Sequence, residues 1–212
     1  MIGCYERWAM KRLVFIRHAS TVANENGLLC GSMETDISEK GKLEIVCLKD
    51  KIEKLKQEGN WKFSKVYVSN SKRTEETVKD IADIENLEII KIKDLGEIDF
   101  GDFEGKTFEW IKNEYPKEYD KLCTEGFDYR YPNGENAIEA YEKNKRAIEY
   151  ILEDMEDDST AIICAHGGSI RNILSYMLCG KLENHWNFKI ENAKITVLEY
   201  DYGFSVLTKL NY

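Results

Sequence analysis

The sequence predicts an α/β fold: a three-layer α/β/α sandwich with a mostly parallel central sheet and a small helical cap insert. Short apolar runs typical of buried strands alternate with stretches in which apolar residues recur at helical spacing. Two of these runs, at 13–16 and 161–165, end in a histidine, and the chain has only three histidines. Because the carboxyl ends of parallel strands meet at one sheet edge, the sequence predicts one site that contains His18 and His166.

The composition indicates a folded domain with an acidic surface. The chain has 212 residues, of which 42% are hydrophobic, and this argues against disorder. A formal net charge of −9 disfavours binding to nucleic acid or membrane surfaces, and no apolar run reaches the ~18 residues of a membrane span. The six cysteines include no Cys-x-x-Cys pair, and Cys164 and Cys179 are predicted to be core residues. Reduced cysteines and an N-terminus without an apolar signal segment favour a cytoplasmic protein.

The first half of the chain is predicted to alternate strands and helices. We expect one domain over 1–212, with residues 1–10 as a loose leader ahead of the fold. Ser38 is a favourable N-cap for an amphipathic helix over 38–57. The other elements follow from apolar runs and helical spacing: strands at 13–16, 65–69 and 88–90, a helix over 72–83, and loops at 20–36 and 95–105.

The second half is predicted to begin with the cap and to end in a hairpin. Residues 106–133 are rich in aromatic side chains without regular periodicity, so we expect two or three short helices that cover the site. A long helix should run from 132–135 to about 156, with Glu135 better suited to capping it than to the site. The remaining predicted elements are a strand at 160–165, a helix over 168–179, and a terminal hairpin of 194–200 with 204–208.

Basic side chains follow the ends of three predicted strands. Arg17 and His18 end the first strand, Arg73 lies just past the second at a helix N-terminus, and His166 follows the late strand. Guanidinium groups match phosphate oxygens, helix N-termini favour anions, and an imidazole can act as a nucleophile. Arg17-His18 alone would be better explained as a surface strand end, but the whole collection suits a tetrahedral dianion.

Five short blocks, in order between about residue 12 and residue 200, carry a more specific signal. They are Arg17-His18-x-x-Thr21-x-x-Asn24; Gly31 with Ser38-Glu39-Lys40-Gly41; Ser71-x-Arg73-Thr74; Glu97-Ile98-Asp99-Phe100-Gly101-Asp102-Phe103-Glu104-Gly105; and His166-Gly167-Gly168. The pattern resembles the histidine phosphatase superfamily, the phosphoglycerate mutase-like family. Its acidic block is similar to that of small phosphatases of the α-ribazole phosphatase type.

The resemblance implies a role for each matching residue. His18 would be the nucleophile that takes the phosphoryl group, and Glu97 would be the general acid and later the base. The arginines would supply the charge stabilisation that Mg²⁺ gives elsewhere, so neither a metal nor a cofactor is expected. The catalytic set would be His18, Glu97, His166, Arg17 and Arg73. The residues that bind the phosphate would be Arg17, Asn24, Gly31, Arg73 and His166.

We therefore expect a metal-independent phosphomonoesterase that acts on a small phosphorylated metabolite through phosphohistidine. A phosphoglycerate mutase is the alternative enzyme, but Leu28 stands near the place of a mutase arginine and the long insert after the acidic block is missing. An idle relative that binds phosphorylated ligands or a partner is the alternative of another class. The retained Glu97 argues against it, because a binder needs no acid. Ala19 and Ser20 depart from the family's Gly followed by Glu or Gln, which bears on pocket shape.

Several residues outside this set are predicted to have structural roles. His185 lacks a partner pattern and is expected at the surface or an interface, and Arg171 is expected to support structure. Aromatic patches at 106–131 or 186–188 leave a homodimer open. Three acidic residues are expected to shape the loop at 95–105: Asp99, Asp102 and Glu104.

Overall fold

The computed structural model describes residues 10–212, and its centre is a mixed six-stranded sheet with helices on both faces. The strands are β1 (Lys11–Arg17), β2 (Phe63–Val68), β3 (Ile89–Lys91), β4 (Thr160–Ala165), β5 (Ile195–Asp201) and β6 (Phe204–Lys209). Their order is β3-β2-β4-β1-β5-β6. The first four strands pair in parallel, while β5 and β6 form the antiparallel hairpin. The predicted α/β sandwich is confirmed; the proposed leader lies, apart from Met10, outside the described residues.

The two central strands are buried on both faces. Leu13 and Phe15 contribute to the core on one side of the sheet, and Val14 and Ile16 to the core on the other. This alternation is the period of two that a strand imposes on its side chains. Because β1 and β4 pair with Arg17 opposite Ala165, the residues that follow them emerge side by side at one sheet edge.

Seven α-helices are present in residues 10–212. They are α1 (Val22–Glu25), α2 (Glu39–Gly59), α3 (Lys72–Glu85), α4 (Phe108–Glu114), α5 (Pro116–Glu125), α6 (Ala137–Asp154) and α7 (Gly167–Leu174). Ser38 caps α2 as predicted, since its hydroxyl accepts the N–H of Gly41. Within this part of the chain, no helix is long and apolar enough to cross a membrane.

Three details differ from the sequence prediction. The loop at 20–36 contains the short helix α1, which Thr21 and Asn24 stabilise through a capping box. The helix predicted over 168–179 is α-helical only to Leu174, after which 175–179 forms a π-helical turn. This turn leaves Cys179 exposed, so its assignment to the core was wrong, whereas Cys164 is buried as predicted.

The long helix α6 begins later than predicted and has a different cap. Asn136 accepts the N–H of Glu139, whose carboxylate accepts the N–H of Asn136 in return. The prediction that Glu135 caps this helix was therefore wrong. The Glu135 carboxylate instead binds the N–H of Asp99 and the ammonium of Lys143, so it joins α6 to the acidic loop.

The cap consists of α4, α5 and a 3₁₀ turn at 126–128, as the aromatic-rich segment predicted. A small apolar cluster joins the cap to the acidic loop, with Phe103 and Ile111 almost fully buried. The loop itself is held by Glu104, whose carboxylate accepts N–H groups from Phe100 and from residues 31–33. Asp99 and Asp102 bond within the same region, which confirms the loop-shaping role of all three acids.

Gly41 should tolerate no side chain although it lies in the first turn of a helix. A Cβ at this position would overlap the carbonyl oxygen of Ser20, two residues beyond His18. We expect Gly41→Ala to lower the free energy of unfolding by about 1–3 kcal/mol through overpacking, although alanine alone favours the helix by about 1 kcal/mol. Urea unfolding would measure this, with Lys40→Ala as the exposed control; equal stability of the two variants would contradict the prediction.

Candidate active site

His18 lies directly after β1 and is almost completely buried. The main-chain N–H of His18 donates to the carbonyl of Ala165 at 3.0 Å, which extends the β1–β4 pairing by one residue. Its Nδ1 lies 2.9 Å from the carbonyl oxygen of Ala19, so Nδ1 carries the proton and Nε2 carries the lone pair. No hydrogen bond to Nε2 forms within residues 10–212, and 5% of the residue remains exposed. The arrangement leaves one imidazole nitrogen able to act as a nucleophile.

The surroundings of His18 keep its imidazole neutral. Burial, followed by the charges of Arg73 and Arg17, lowers the pKa of His18 to about 3. Nucleophilic attack requires the lone pair of Nε2, which protonation would remove. The same arginines that would attract an anion therefore also keep the imidazole in its reactive form.

Arg73 enters the site from the first turn of α3 and is completely buried. Its guanidinium donates to the carbonyls of Gly31 (2.8 Å) and Met33 (2.9 Å). It also donates to Nδ1 of His166 at 3.2 Å. The proton of that imidazole then lies on Nε2, which donates to Ser69 Oγ at 2.8 Å. Burial, then the charge of Arg73, lowers the pKa of His166 well below its usual value, so this imidazole is also neutral.

The two imidazoles pack against each other at the carboxyl edge of the sheet. The ring centroids of His18 and His166 are 5.2 Å apart in an edge-to-face arrangement. His166 is also the N-cap of α7, so the helix begins at the site. Arg17, Arg73 and both histidines are brought together here as the sequence predicted.

Two buried guanidinium nitrogens at this edge have no acceptor. Arg17 donates from Nη1 to the carbonyl of Ile190 at 2.8 Å. The Nε atoms of Arg17 and Arg73 are buried without a hydrogen-bond partner among the described residues. Buried donors are rarely left unsatisfied in proteins. An oxyanion bound between the arginines would supply acceptor oxygens.

Glu97 lies in the acidic loop and is held at the start of α7. Its carboxylate accepts the N–H of Gly168 at 2.8 Å and the N–H of Ile98 at 3.1 Å. A Cβ at Gly168 would overlap that carboxylate, so glycine is required for this close approach. Lys143 donates to the Glu97 carbonyl at 2.9 Å and fixes the backbone. The N-terminal turn of α7 thus positions His166 and Glu97 together.

Asn24 and Gly31 lie close to the histidines but have other hydrogen-bond partners. The Oδ1 of Asn24 accepts the N–H of Thr21 and the amide of Asn192. The N–H of Gly31 is bound by Glu104, and its carbonyl accepts from Arg73. A Cβ at Gly31 would overlap the carbonyl of Ile98. In this structure Gly31 therefore orients Arg73, and direct binding of phosphate by either residue stays a prediction.

The segment at 188–192 belongs to the site, although no motif marks it. The carbonyls of Phe188 and Ile190 bind Arg171 and Arg17, and Asn192 donates to the His18 carbonyl at 2.9 Å. The intervening Lys189 and Glu191 bond instead to Asn211 on the other side. This alternation is that of an extended chain. Two of its site contacts join residues more than 150 positions apart, and the third reaches back 17 positions to Arg171 on α7, so local sequence offers no signal for them.

The sequence predicted His185 at the surface or at an interface. It is half-buried, with Nδ1 2.7 Å from Oδ1 of Asn172, and burial followed by the charge of Arg171 lowers the pKa of His185 to about 4. The amide of Asn172 donates to Asn144, which donates to the carbonyl of Gly96 beside Glu97. His185 therefore belongs to a polar network behind the acidic loop.

Ala19, the departure from the family pattern, does not have a positive φ, and its N–H donates to Thr77 at 2.9 Å.

None of the three histidines should titrate between pH 5 and pH 8 in the folded protein. Each has a lowered pKa, while an unfolded chain binds these protons near pH 6.5. Because the unfolded state then binds more protons, the free energy of unfolding should fall as the pH drops below about 6.5. Imidazole NMR resonances followed against pH would test this, with the urea-unfolded protein as control. A midpoint near 6.5 in the native state would contradict it.

Comparison with known proteins places this geometry in a family. Phosphoserine phosphatase 1 of Hydrogenobacter thermophilus is 28% identical over 202 residues, covering 95% of this chain and 92% of that protein. Adenosylcobalamin/alpha-ribazole phosphatase of Salmonella typhimurium is 24% identical over 200 residues, covering 94% and 96%. The crystal structure of the alpha-ribazole phosphatase from Shigella flexneri superposes with a TM-score of 0.85 at 23% identity, covering 95% and 96%.

The family model for the histidine phosphatase superfamily (branch 1) matches residues 13–212, almost the whole described chain. Four residues that carried the sequence resemblance, Arg17, His18, Arg73 and His166, lie at one edge of the sheet in this structure. The fold agrees with that of the superposed phosphatase, and the two related sequences given above are named as phosphatases. The chain belongs to the histidine phosphatase superfamily and is a phosphatase.

Proposed function

We propose that the protein hydrolyses the phosphate monoester of a small metabolite through a phosphohistidine on Nε2 of His18, without a metal ion. The observation that carries the proposal is the state of His18: neutral, fixed through Nδ1, and with Nε2 free beside two arginines. The buried Nε atoms of Arg17 and Arg73, which have no acceptor in residues 10–212, fit a phosphate as the missing group.

The reaction would proceed in two displacements at phosphorus. The lone pair of Nε2 attacks phosphorus as the bond to the ester oxygen breaks, and Glu97 gives its proton to that oxygen. Water then attacks the phosphohistidine, Glu97 takes a proton from the water, and the phosphorus–nitrogen bond breaks to release phosphate and neutral His18. Charge on the three remaining phosphate oxygens would be stabilised by Arg17 and Arg73.

The end of β1 and the start of α7 are placed to suit this division of roles. His18 is fixed by main-chain atoms at the end of β1, and Glu97 is fixed by main-chain N–H groups at the start of α7. Groups held in this way lose little freedom when substrate binds, which is the geometric contribution to catalysis. A binding protein for phosphorylated ligands would have no use for the carboxylate of Glu97.

Phosphate release in the presence of EDTA tests the proposed function directly. We expect turnover of p-nitrophenyl phosphate and of small phosphate esters, with an acid-labile phosphoenzyme in rapid-quench samples. His18→Ala should lower turnover at least ~10⁴-fold and abolish the phosphoenzyme, because no other nucleophile is available. Unfolding curves would confirm that the variant is folded. Near-normal turnover in this variant would overturn the mechanism, and exchange between 3- and 2-phosphoglycerate without net hydrolysis would instead indicate a mutase.

Glu97→Gln should slow different substrates to different extents. An alkyl phosphate releases a poor leaving group that needs a proton, whereas p-nitrophenolate leaves with little protonation. We expect the loss in the first chemical step to be about 10²–10⁴-fold for alkyl phosphates and much smaller for p-nitrophenyl phosphate. Burst-phase kinetics would measure this step, with Glu88→Gln, an exposed glutamate, as control. Equal slowing of both substrates would mean that Glu97 is not the acid.

A further inference from the structure

Arg171 is a third arginine beside the site, and among residues 10–212 it forms no ion pair with a carboxylate. Arg171 is half-buried on α7, and its Nε donates to the carbonyl of Phe188 at 2.9 Å. Its guanidinium carbon lies 5.2 Å from the ring centroid of Trp186. In the described part of the chain, the arginines that pair with carboxylates are Arg12, Arg130 and Arg146. Both Nη groups of Arg171 thus remain without a hydrogen-bond acceptor there.

The segment at 188–192 fixes how far Arg171 lies from the phosphate-binding arginine. The carbonyl of Phe188 holds Arg171, and the carbonyl of Ile190 holds Arg17. These carbonyls are two residues apart on the same side of an extended chain, a separation of about 7 Å at ~3.3 Å per residue. The two guanidinium groups are therefore neighbours along one wall of the site.

Arg171 also borders the candidate acid. It follows Gly168 by three residues, and residues at this spacing share one face of a helix. The N–H of Gly168 binds the Glu97 carboxylate. The negative charge of Glu97 opposes the effect of burial, which lowers the pKa of Arg171. Since Glu97 would protonate the ester oxygen, Arg171 lies on the side of the site where the alcohol part of the substrate must sit.

We infer that Arg171 binds a carboxylate on the leaving alcohol, so that the substrates are phosphate esters of short hydroxy acids. This inference rests on the proposed function, because it uses Glu97 to locate the alcohol. A guanidinium offers two parallel N–H donors to a carboxylate. The bond to Phe188 and the contact with Trp186 hold the fork in place before the ligand arrives, which reduces the entropy lost on binding.

The charge balance favours a carboxylate over a second phosphate. In the proposed first step Glu97 is protonated, so Arg171 contributes one uncompensated positive charge, which matches a single carboxylate, whereas a second dianion would call for further cations. The stacking partner Trp186 is 70% exposed, so Arg171 is not simply packed into the core. The exposed face of this indole also offers a stacking surface to a planar leaving group. Recognition of such a group by Trp186 is the alternative to recognition of a carboxylate by Arg171.

Matched substrates that differ in the carboxylate test the inference. The pairs are 3-phosphoglycerate with glycerol 3-phosphate and O-phosphoserine with O-phosphoethanolamine, with p-nitrophenyl phosphate as the common reference. We expect wild type to prefer the acid of at least one pair, and Arg171→Met to lower kcat/KM for that acid about 10–100-fold, mainly through KM. Hydrolysis of its partner and of the reference should change less than about threefold. Arg171→Lys should recover part of the loss.

Arg12→Met is the matched control. Arg12 is also a partly buried arginine over an indole, 4.6 Å from the ring centroid of Trp61, but it lies at the opposite end of β1. Its substitution should leave the preference for the acid unchanged. A wild type that does not distinguish either pair, or an unchanged preference in Arg171→Met, would overturn the inference while hydrolysis of p-nitrophenyl phosphate upholds the proposed function.

Two further outcomes would also decide against it. If Trp186→Ala, and not Arg171→Met, lowers hydrolysis of α-ribazole phosphate while the acids are poor substrates, the wall recognises a planar group by stacking and the inference is wrong. If no ester is hydrolysed, p-nitrophenyl phosphate included, the proposed function is wrong, and so is the inference that rests on it.

Discussion

Arg73 is completely buried and has no carboxylate partner within residues 10–212, and this is the constraint on which the rest of the site depends. An isolated buried charge is costly, so its donors must find other acceptors. They find the carbonyls of Gly31 and Met33 and the Nδ1 of His166. The bond to His166 fixes the tautomer of that imidazole. Burial, followed by the positive charge of Arg73, lowers the pKa of His18. The site therefore carries positive charge that a bound anion would neutralise.

A second set of contacts keeps that guanidinium in place. The segment at 30–33 could not present its carbonyls to Arg73 unless its own N–H groups were occupied elsewhere. Glu104 binds those N–H groups from the acidic loop. The same loop carries Glu97 and packs on the cap through Phe103. The candidate acid Glu97, the buried Arg73 and the cap are thus linked through this loop, and a change in any of them should affect the others.

The sequence was informative where function depends on residues close together in the chain. Apolar runs ending in His18 and His166 predicted two neighbouring strands, and Ser38 predicted the start of α2, because strand burial and helix capping are local patterns. The contacts of Asn192 and Glu135 could not be predicted from local patterns. Asn192 contacts His18 although the two residues are 174 positions apart in the chain. Glu135 precedes a helix, as a capping residue would, and only the fold brings Asp99 and Lys143 to its carboxylate. Cys179 was misassigned because hydropathy does not reveal the π-helical turn that carries it outward.

The hydrogen bond that orients His18 has a consequence for how the protein can change over evolution. Its acceptor is the carbonyl oxygen of Ala19, an atom that every amino acid supplies. A histidine oriented by a carboxylate side chain loses its tautomer when that side chain mutates, but no single substitution can delete a main-chain carbonyl. The chemical identity of residue 19 is thereby decoupled from the protonation state of His18. Selection can alter the wall around His18 for new substrates while the reactive nitrogen stays the same.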